Sequence, residues 1–125
     1  MPPDSQNLVW IDAHAHLQDS RLAPHLPQVF ARAAAVGVAQ VHVAATCEAD
    51  WPAVAALADA HPGGVIASFG IHPWFLRNRS ARWLQNLRAV LGSRPSGIGE
   101  IGLDARLEDG LDADTTETLG AAPSP

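Results

Sequence analysis

The stretch LVWIDAHAH, residues 8–16, joins an apolar run directly to a pair of histidines. Its first four residues are large and apolar without a charge between them, which predicts a short buried strand. His14 and His16 are two residues apart, so an extended backbone points both imidazoles to the same face. Two imidazoles on one face suit zinc and other first-row divalent ions. Asp12 has the same parity and is predicted to orient one of the rings from outside the ligand shell.

Two later motifs place polar side chains at the end of other apolar runs. GIHPW, residues 70–74, follows the apolar run 65–69, and GEIGLD, residues 99–104, closes a glycine-rich apolar segment. A carboxylate in such a segment is costly to bury unless it is paired or bound to a metal, so Glu100 is a candidate ligand. His72 stands at the end of its run and is predicted to contact the substrate.

The spacing of apolar residues predicts alternating strands and helices. Strands are predicted at residues 8–11, 38–46, 65–69 and 97–103, and helices run from Pro24 to Gly37, from an N-cap at Asp50 to His61, and from an N-cap at Ser80 to Gly92. This alternation is typical of a parallel sheet covered by helices. In such folds functional residues gather at the carboxyl ends of the strands, where all three motifs lie.

Each candidate residue also has a simpler interpretation. The histidine pair alone would fit two partly exposed side chains at a strand end, and Glu100 would fit an ion pair with an arginine. His72 would equally fit a packed, hydrogen-bonded side chain. We interpret the remaining histidines and the cysteine as structural or surface residues: His25, His42, His61 and Cys47. The common position of the three motifs is what favours a single metal site.

Composition bounds the function. The 125 residues suffice for one domain, and a net charge of −5 argues against a strongly basic nucleic-acid surface. A phosphate substrate held through metal ions remains compatible, because bound cations can dominate the local charge. The chain has no lysine, which excludes a Schiff-base lysine, a P-loop lysine and a metal-bridging modified lysine. One cysteine, no signal-like N-terminus and no apolar run of membrane length predict a cytoplasmic protein without a membrane partner.

Together these motifs resemble the TatD family of metal-dependent hydrolases, over residues 8–104 and for the N-terminal half of the family only. The resemblance implies a TIM-type (β/α) barrel that acts as a deoxyribonuclease on DNA or another phosphodiester, with two divalent ions (Mg, Mn or Zn). It implies that His14 and His16 bind the first ion and that Glu100 bridges both. It also implies that His72 lies beside the substrate phosphate.

The chain departs from the family in its second half. The fold class expected is α/β, a partial TIM-type barrel of about four strands and three helices, since a complete barrel takes about 250 residues. Residues 1–7 are expected to be flexible, and the acidic segment 105–125 is expected to be a disordered tail. The later histidines and the general-base aspartate of the family have no counterpart, so no catalytic residue is assigned and at most one ion is expected. The loss of pattern near residue 105 suggests a truncation or a frameshift.

Three functions therefore stay open from the sequence. The first is phosphodiester hydrolysis, and the second is a catalytically inactive, truncated or frameshifted fragment that binds at most one metal ion. The third is an amidohydrolase-like enzyme acting on small amides or esters, which explains the histidine pair but not the GEIGLD segment. A partial barrel also predicts self-association through its exposed edge, with poor solubility.

Overall fold

The computed structural model describes residues 8–106, where strands and helices alternate as predicted. The elements in chain order are β1 (Trp10–Ala15), α1 (Leu26–Ala35), β2 (Val38–Ala44), α2 (Trp51–Ala60), β3 (Val65–Phe69), α3 (Trp83–Ser93) and β4 (Gly97–Ile98). Two 3₁₀ helices, Ala23–His25 and Pro73–Asn78, precede α1 and follow β3. The flexible N-terminus predicted for residues 1–7 and all but two residues of the predicted tail lie outside the described range.

The four strands form one parallel sheet in the order β1-β2-β3-β4. Each strand pairs with the next one along the chain; Val41 lies opposite Val65, for example, and Ser68 lies opposite Gly97. Sequential parallel pairing with a helix in each connection is the arrangement of successive units in a (β/α) barrel. The partial barrel predicted from the sequence is therefore confirmed for the described residues.

The hydrophobic core lies between the two inner strands and the helices. Along β3 the side chains alternate between buried and half-buried, as expected for a strand with one face against the helices. Phe69, Val43 and Val54 are the largest fully buried side chains. Further buried residues come from both layers: Val41, Val65 and Ala67 from the strands, and Trp51, Leu57 and Leu87 from α2 and α3.

The two outer strands are much less covered. Trp10 and Ile11 on β1 are each 57% exposed, and Ile98 on β4 is 63% exposed. The prediction of a buried first strand is therefore wrong for the described residues. A strand is buried by the elements beside it, and within residues 8–106 β1 has a strand partner on one edge only.

In the same range, no helix has the length and apolar character needed to cross a membrane.

Several predicted boundaries shift because side chains take other partners. Asp50 precedes α2 but makes no capping bond to the helix; its carboxylate accepts the backbone N–H groups of Thr46 and Cys47 instead. Ser80 does not begin α3, which starts at Trp83. Its hydroxyl donates to Glu48 at 2.7 Å, so it joins the loop after β2 to the segment before α3. The predicted strand 97–103 is also shorter, ending at residue 98.

Candidate metal centre

Three of the predicted site residues meet at the carboxyl end of the sheet. The Nε2 atoms of His14 and His16 are 3.2 Å apart. Glu100 faces both rings, with Oε1 3.4 Å from Nε2 of His14 and Oε2 3.3 Å from Nε2 of His16. The candidate ligand atoms lie within 4.8 Å of one another, which is a spacing that one ion can bridge. The carboxylate of Glu100 faces imidazoles, which argues against the simpler interpretation of an ion pair with an arginine.

The cluster depends on the curvature of the sheet. His14 lies on β1, whereas Glu100 follows β4, and two strands separate these outer strands. In a flat sheet three strand spacings would hold them about 14 Å apart. The observed contacts are shorter than 3.5 Å, so the sheet curls until its two edges face each other across the site. Barrel curvature therefore assembles this site.

The ring of His16 is oriented by the backbone of the neighbouring strand. Its Nδ1 lies 2.8 Å from the carbonyl oxygen of Ala44 at the end of β2. A proton on Nδ1 donated to that carbonyl leaves the Nε2 lone pair free for a metal ion. Gln18 donates to the same carbonyl at 2.8 Å and to the Asp50 carboxylate at 3.0 Å. A connected polar network thus supports the His16 side of the cluster.

Glu100 is held through its backbone and by a close approach to β3. Its amide N–H donates to the carbonyl of Ala45 at 3.0 Å. A Cβ atom at Gly70 would stand only 2.4 Å from the carbonyl oxygen of Glu100, so glycine is required for this approach. Trp51, buried under the sheet, donates its indole N–H to the Gly70 carbonyl at 2.9 Å. The segment that carries Glu100 is therefore packed against β3.

The sequence matches the family described as TatD related DNase over residues 11–119. The chain belongs to this family. The match includes all three motifs and continues past residue 104, where the visible motif pattern ends.

Two curated proteins are similar in sequence to parts of this chain. The uncharacterized metal-dependent hydrolase YjjV of Escherichia coli is 34% identical over 98 residues, which are 76% of this chain and 38% of YjjV. The Cut9-interacting protein scn1 of Schizosaccharomyces pombe is 43% identical over 65 residues, which are 52% of this chain and 18% of that protein. The chain thus spans well under half the length of these relatives.

Solved structures agree in fold. The crystal structure of YjjV, a TatD homologue, superposes with a TM-score of 0.70 at 30% identity, covering 88% of this chain and 43% of YjjV. A hydrolase TatD family protein of Entamoeba histolytica superposes with a TM-score of 0.76 at 20% identity, covering 92% and 44% of the two chains. The second likeness shows the fold alone.

Asp12 lies beside the cluster but does not contact a ring as predicted. Its Oδ1 accepts the backbone N–H of His14 at 3.1 Å. The carboxylate therefore orders the strand backbone that leads into the histidine pair, and the ring of His16 donates from Nδ1 to the carbonyl of Ala44 instead. The sequence places Asp12 on the same face of the strand as the histidines, but this placement does not tell whether its carboxylate bonds to a ring or to the backbone.

His72 lines the same cavity as His14 and Glu100. This cavity has a volume of about 460 Å³ and lies at the carboxyl end of the sheet. Its Nδ1 accepts the backbone N–H of Trp74 at 3.1 Å and so caps the 3₁₀ helix Pro73–Asn78. The ring is held in place and stands beside the cluster without joining it. Contact with a substrate stays a prediction for this residue.

His42 also lines this cavity, although its position in the sequence favoured a structural or surface role. It lies on β2 two residues before Ala44, so both side chains point to the inner face of the sheet. The two-residue spacing that places His14 and His16 on one face of a strand also places His42 on the same face of β2 as Ala44. That spacing could have pointed to His42 if β2 had been known to border the site.

Proposed function

We propose that this TatD-family protein hydrolyses phosphodiester bonds in DNA with divalent metal ions. The observation that carries the proposal is the cluster of His14, His16 and Glu100, whose ligand atoms lie within 4.8 Å of one another beside an open cavity. Membership of a family described as TatD related DNase supports the nuclease activity. A cytoplasmic location is part of the proposal, because a single cysteine gives no sign of an oxidising compartment.

The donors fit a divalent ion. Two imidazole nitrogens and a carboxylate oxygen are ligands that zinc and manganese accept, and three protein ligands leave positions free for water and substrate. When bound, such an ion would polarise a phosphoryl oxygen and generate a hydroxide nucleophile near neutral pH. The exposed fractions of the two histidine side chains, 53% for His14 and 40% for His16, leave room for a substrate to approach.

The protein residues contribute position and charge. The carboxylate of Glu100 would balance part of the positive charge of a bound ion. The Ala44 carbonyl fixes the tautomer of His16 in which Nε2 is the ligand atom. His72 lines the cavity beside the cluster, where its ring could donate a hydrogen bond to a phosphate oxygen.

The described residues supply one cluster of three ligands, which is enough for one ion. Hydrolysis by a pair of ions would need further ligands from outside residues 8–106. The chain spans 38% of the length of YjjV. The alternative is an inactive fragment that binds a single ion, and the two differ in whether metal binding is accompanied by cleavage.

The test combines metal binding with cleavage. Calorimetric titration with Mn²⁺ should show binding by the protein and its loss in His14→Ala and Glu100→Gln. The matched control is His25→Ala, an exposed histidine outside the cluster. Cleavage of an oligonucleotide that needs Mn²⁺ or Mg²⁺ and disappears in the same two variants would support the nuclease. Metal binding without cleavage would support the inactive fragment, and cleavage of small amides instead would support the amidohydrolase-like alternative.

A further inference from the structure

Two short segments of the chain, Asp19-Ser20-Arg21 and Asp104-Ala105-Arg106, have the same internal geometry. In the first, Oδ1 of Asp19 accepts the backbone N–H and the Nε–H of Arg21, both at 2.9 Å, and Oδ2 accepts from Nη2 at 2.7 Å. In the second, the corresponding distances are 3.1, 2.9 and 2.7 Å. Each carboxylate therefore fixes the guanidinium group two residues later. We call Arg21 and Arg106 the fixed arginines.

Both segments directly follow metal-ligand positions. Asp19 comes three residues after His16, and Asp104 comes four residues after Glu100. Arg21 lines a cleft of about 600 Å³ that has His16 in its wall. Each outer strand is thus followed first by a candidate ligand and then by a fixed arginine.

The second fixed arginine also lies close to the cavity beside the cluster. The guanidinium carbon of Arg106 is 6.0 Å from the ring centroid of Trp74, and the Trp74 indole N–H donates to Asp104 at 2.9 Å. The Trp74 ring is in turn 5.2 Å from the ring of His72, which lines that cavity. Arg106 is therefore held by Asp104 and Trp74, and Trp74 contacts a residue that lines the cavity.

The geometry of each pair leaves one edge of the guanidinium open. Asp uses the Nε and Nη2 edge, so the Nη1 and Nη2 edge remains for another oxygen acceptor. The side chains of Arg21 and Arg106 are 87% and 79% exposed, so that edge is accessible. Hydrogen bonding to Asp19 raises the pKa of Arg21, and the same contact lowers the pKa of Asp19 to about 2, so the pair stays ionised.

A third arginine shows what a purely structural pair looks like. The side chain of Arg94 is 23% exposed, and its Nη1 donates to the carbonyl of Ala55 and to Asp59. That guanidinium joins α2 to the loop before β4 and has little accessible edge left. The fixed arginines differ because, within residues 8–106, the Nη1 and Nη2 edge of neither guanidinium bonds to another element of the fold.

We infer that Arg21 and Arg106 are phosphate contacts that bind backbone phosphates next to the one cleaved at the metal cluster. This inference rests on the proposed function and narrows its substrate class to oligonucleotides, as opposed to mononucleotide esters. A guanidinium fixed in advance loses little side-chain freedom when it binds a phosphate. Because each arginine is already paired with an aspartate, the contacts act at short range and do not require a basic surface, in keeping with the net charge of −5.

The test measures how binding depends on salt. A fluorescent single-stranded oligonucleotide of about 12 nucleotides is titrated with the full chain in chelator, between about 50 and 200 mM NaCl, and followed by anisotropy. Arg21→Gln and Arg106→Gln should each weaken binding and lower the slope of log K against log salt by about 0.7, the value for one phosphate contact on a single strand. The matched control is Arg88→Gln, an exposed arginine on α3, whose slope should equal that of the unmodified protein.

Substrate length gives a second readout. Both variants should keep their affinity for Mn²⁺ and raise KM for the oligonucleotide more than KM for a dinucleotide, because a dinucleotide has no flanking phosphate. Unchanged salt slopes in both variants of a protein that binds and cleaves DNA would overturn the inference and leave the proposed function standing. If the unmodified protein bound Mn²⁺ but neither bound nor cleaved any oligonucleotide, the proposed function would fail and the inference with it.

Discussion

The inner strands β2 and β3 and the outer strands β1 and β4 have opposite properties. Val43 and Phe69 on the inner strands are fully buried, whereas Trp10 and Ile98 on the outer strands are more than half exposed. Yet the candidate ligands belong to the outer pair, since His14 lies on β1 and Glu100 follows β4. The inner strands therefore supply most of the packing, and the outer strands supply the chemistry.

This separation predicts how the two regions respond to change. Loss of buried volume on an inner strand should reduce global stability. Changes on an outer strand should instead affect the distance between the two edges of the sheet, and through it metal binding. The following predictions test that division, beginning with the largest effect.

The largest effect is expected for Phe69→Ala on β3. Deleting a fully buried aromatic ring should cost about 3–5 kcal/mol of unfolding free energy, because the cavity cannot close completely. Ile98→Ala on β4, where the side chain is 63% exposed, should cost about 0.5 kcal/mol or less. Urea unfolding measures both. Since Phe69→Ala could prevent folding altogether, Phe69→Leu provides a milder variant. Equal losses of unfolding free energy at positions 69 and 98 would contradict the division between inner and outer strands.

Metal binding should stabilise the outer strands most. At about 100 times its dissociation constant, an ion that binds only the folded state adds about 2.7 kcal/mol to the unfolding free energy. His14 on β1 and Glu100 after β4 would hold the ion between them, so amide exchange should slow chiefly in those two segments. Hydrogen exchange with and without Mn²⁺ measures this, and His14→Ala is the control. Slower exchange confined to β2 and β3 would show that the outer strands do not carry the site.

A smaller change in metal affinity is expected from Gly70→Ala. The added Cβ would meet the Glu100 carbonyl oxygen at 2.4 Å and Cγ2 of Ile101 at 2.8 Å, which should push Glu100 away from the histidines. Displacement of a ligand by its supporting residue should lower affinity by about 10- to 100-fold. Gly92→Ala is the matched control, because nothing lies within 4 Å of its added Cβ. Equal Mn²⁺ affinities by calorimetry would show that Gly70 does not position the ligand.

The smallest effect on stability is expected for Ile11→Lys on β1. This side chain is 57% exposed, so folding should change by about 0.5 kcal/mol or less. The charge should nevertheless weaken self-association, which we propose to occur through the apolar edge formed by Trp10 and Ile11. Sedimentation over a range of concentrations compares the variant with the unmodified chain. A monomer at every concentration in the unmodified chain would refute the proposed association.

Much of this arrangement could be predicted from periodicity and parity. The alternation of apolar runs predicted the strand and helix order, and two-residue spacing predicted that His14 and His16 share a face. What failed depended on contacts across the chain. Asp50 and Ser80 fit the residue preferences of helix caps, but partners distant from the helix start compete for their side chains. The close approach at Gly70 involves residues 30 positions later, which no local pattern contains.

Two backbone carbonyls at the end of β2 have a consequence for mutational tolerance. Ala44 fixes the ring of His16 and Ala45 fixes the amide of Glu100, and both do so through the main chain. A substitution at either position leaves its carbonyl in place, provided that the new side chain fits the buried space. The orientation of the candidate ligands therefore depends on the main chain at positions 44 and 45 and on no functional group of either side chain. Only small side chains fit there, because Ala44 is 6% exposed and Ala45 is fully buried.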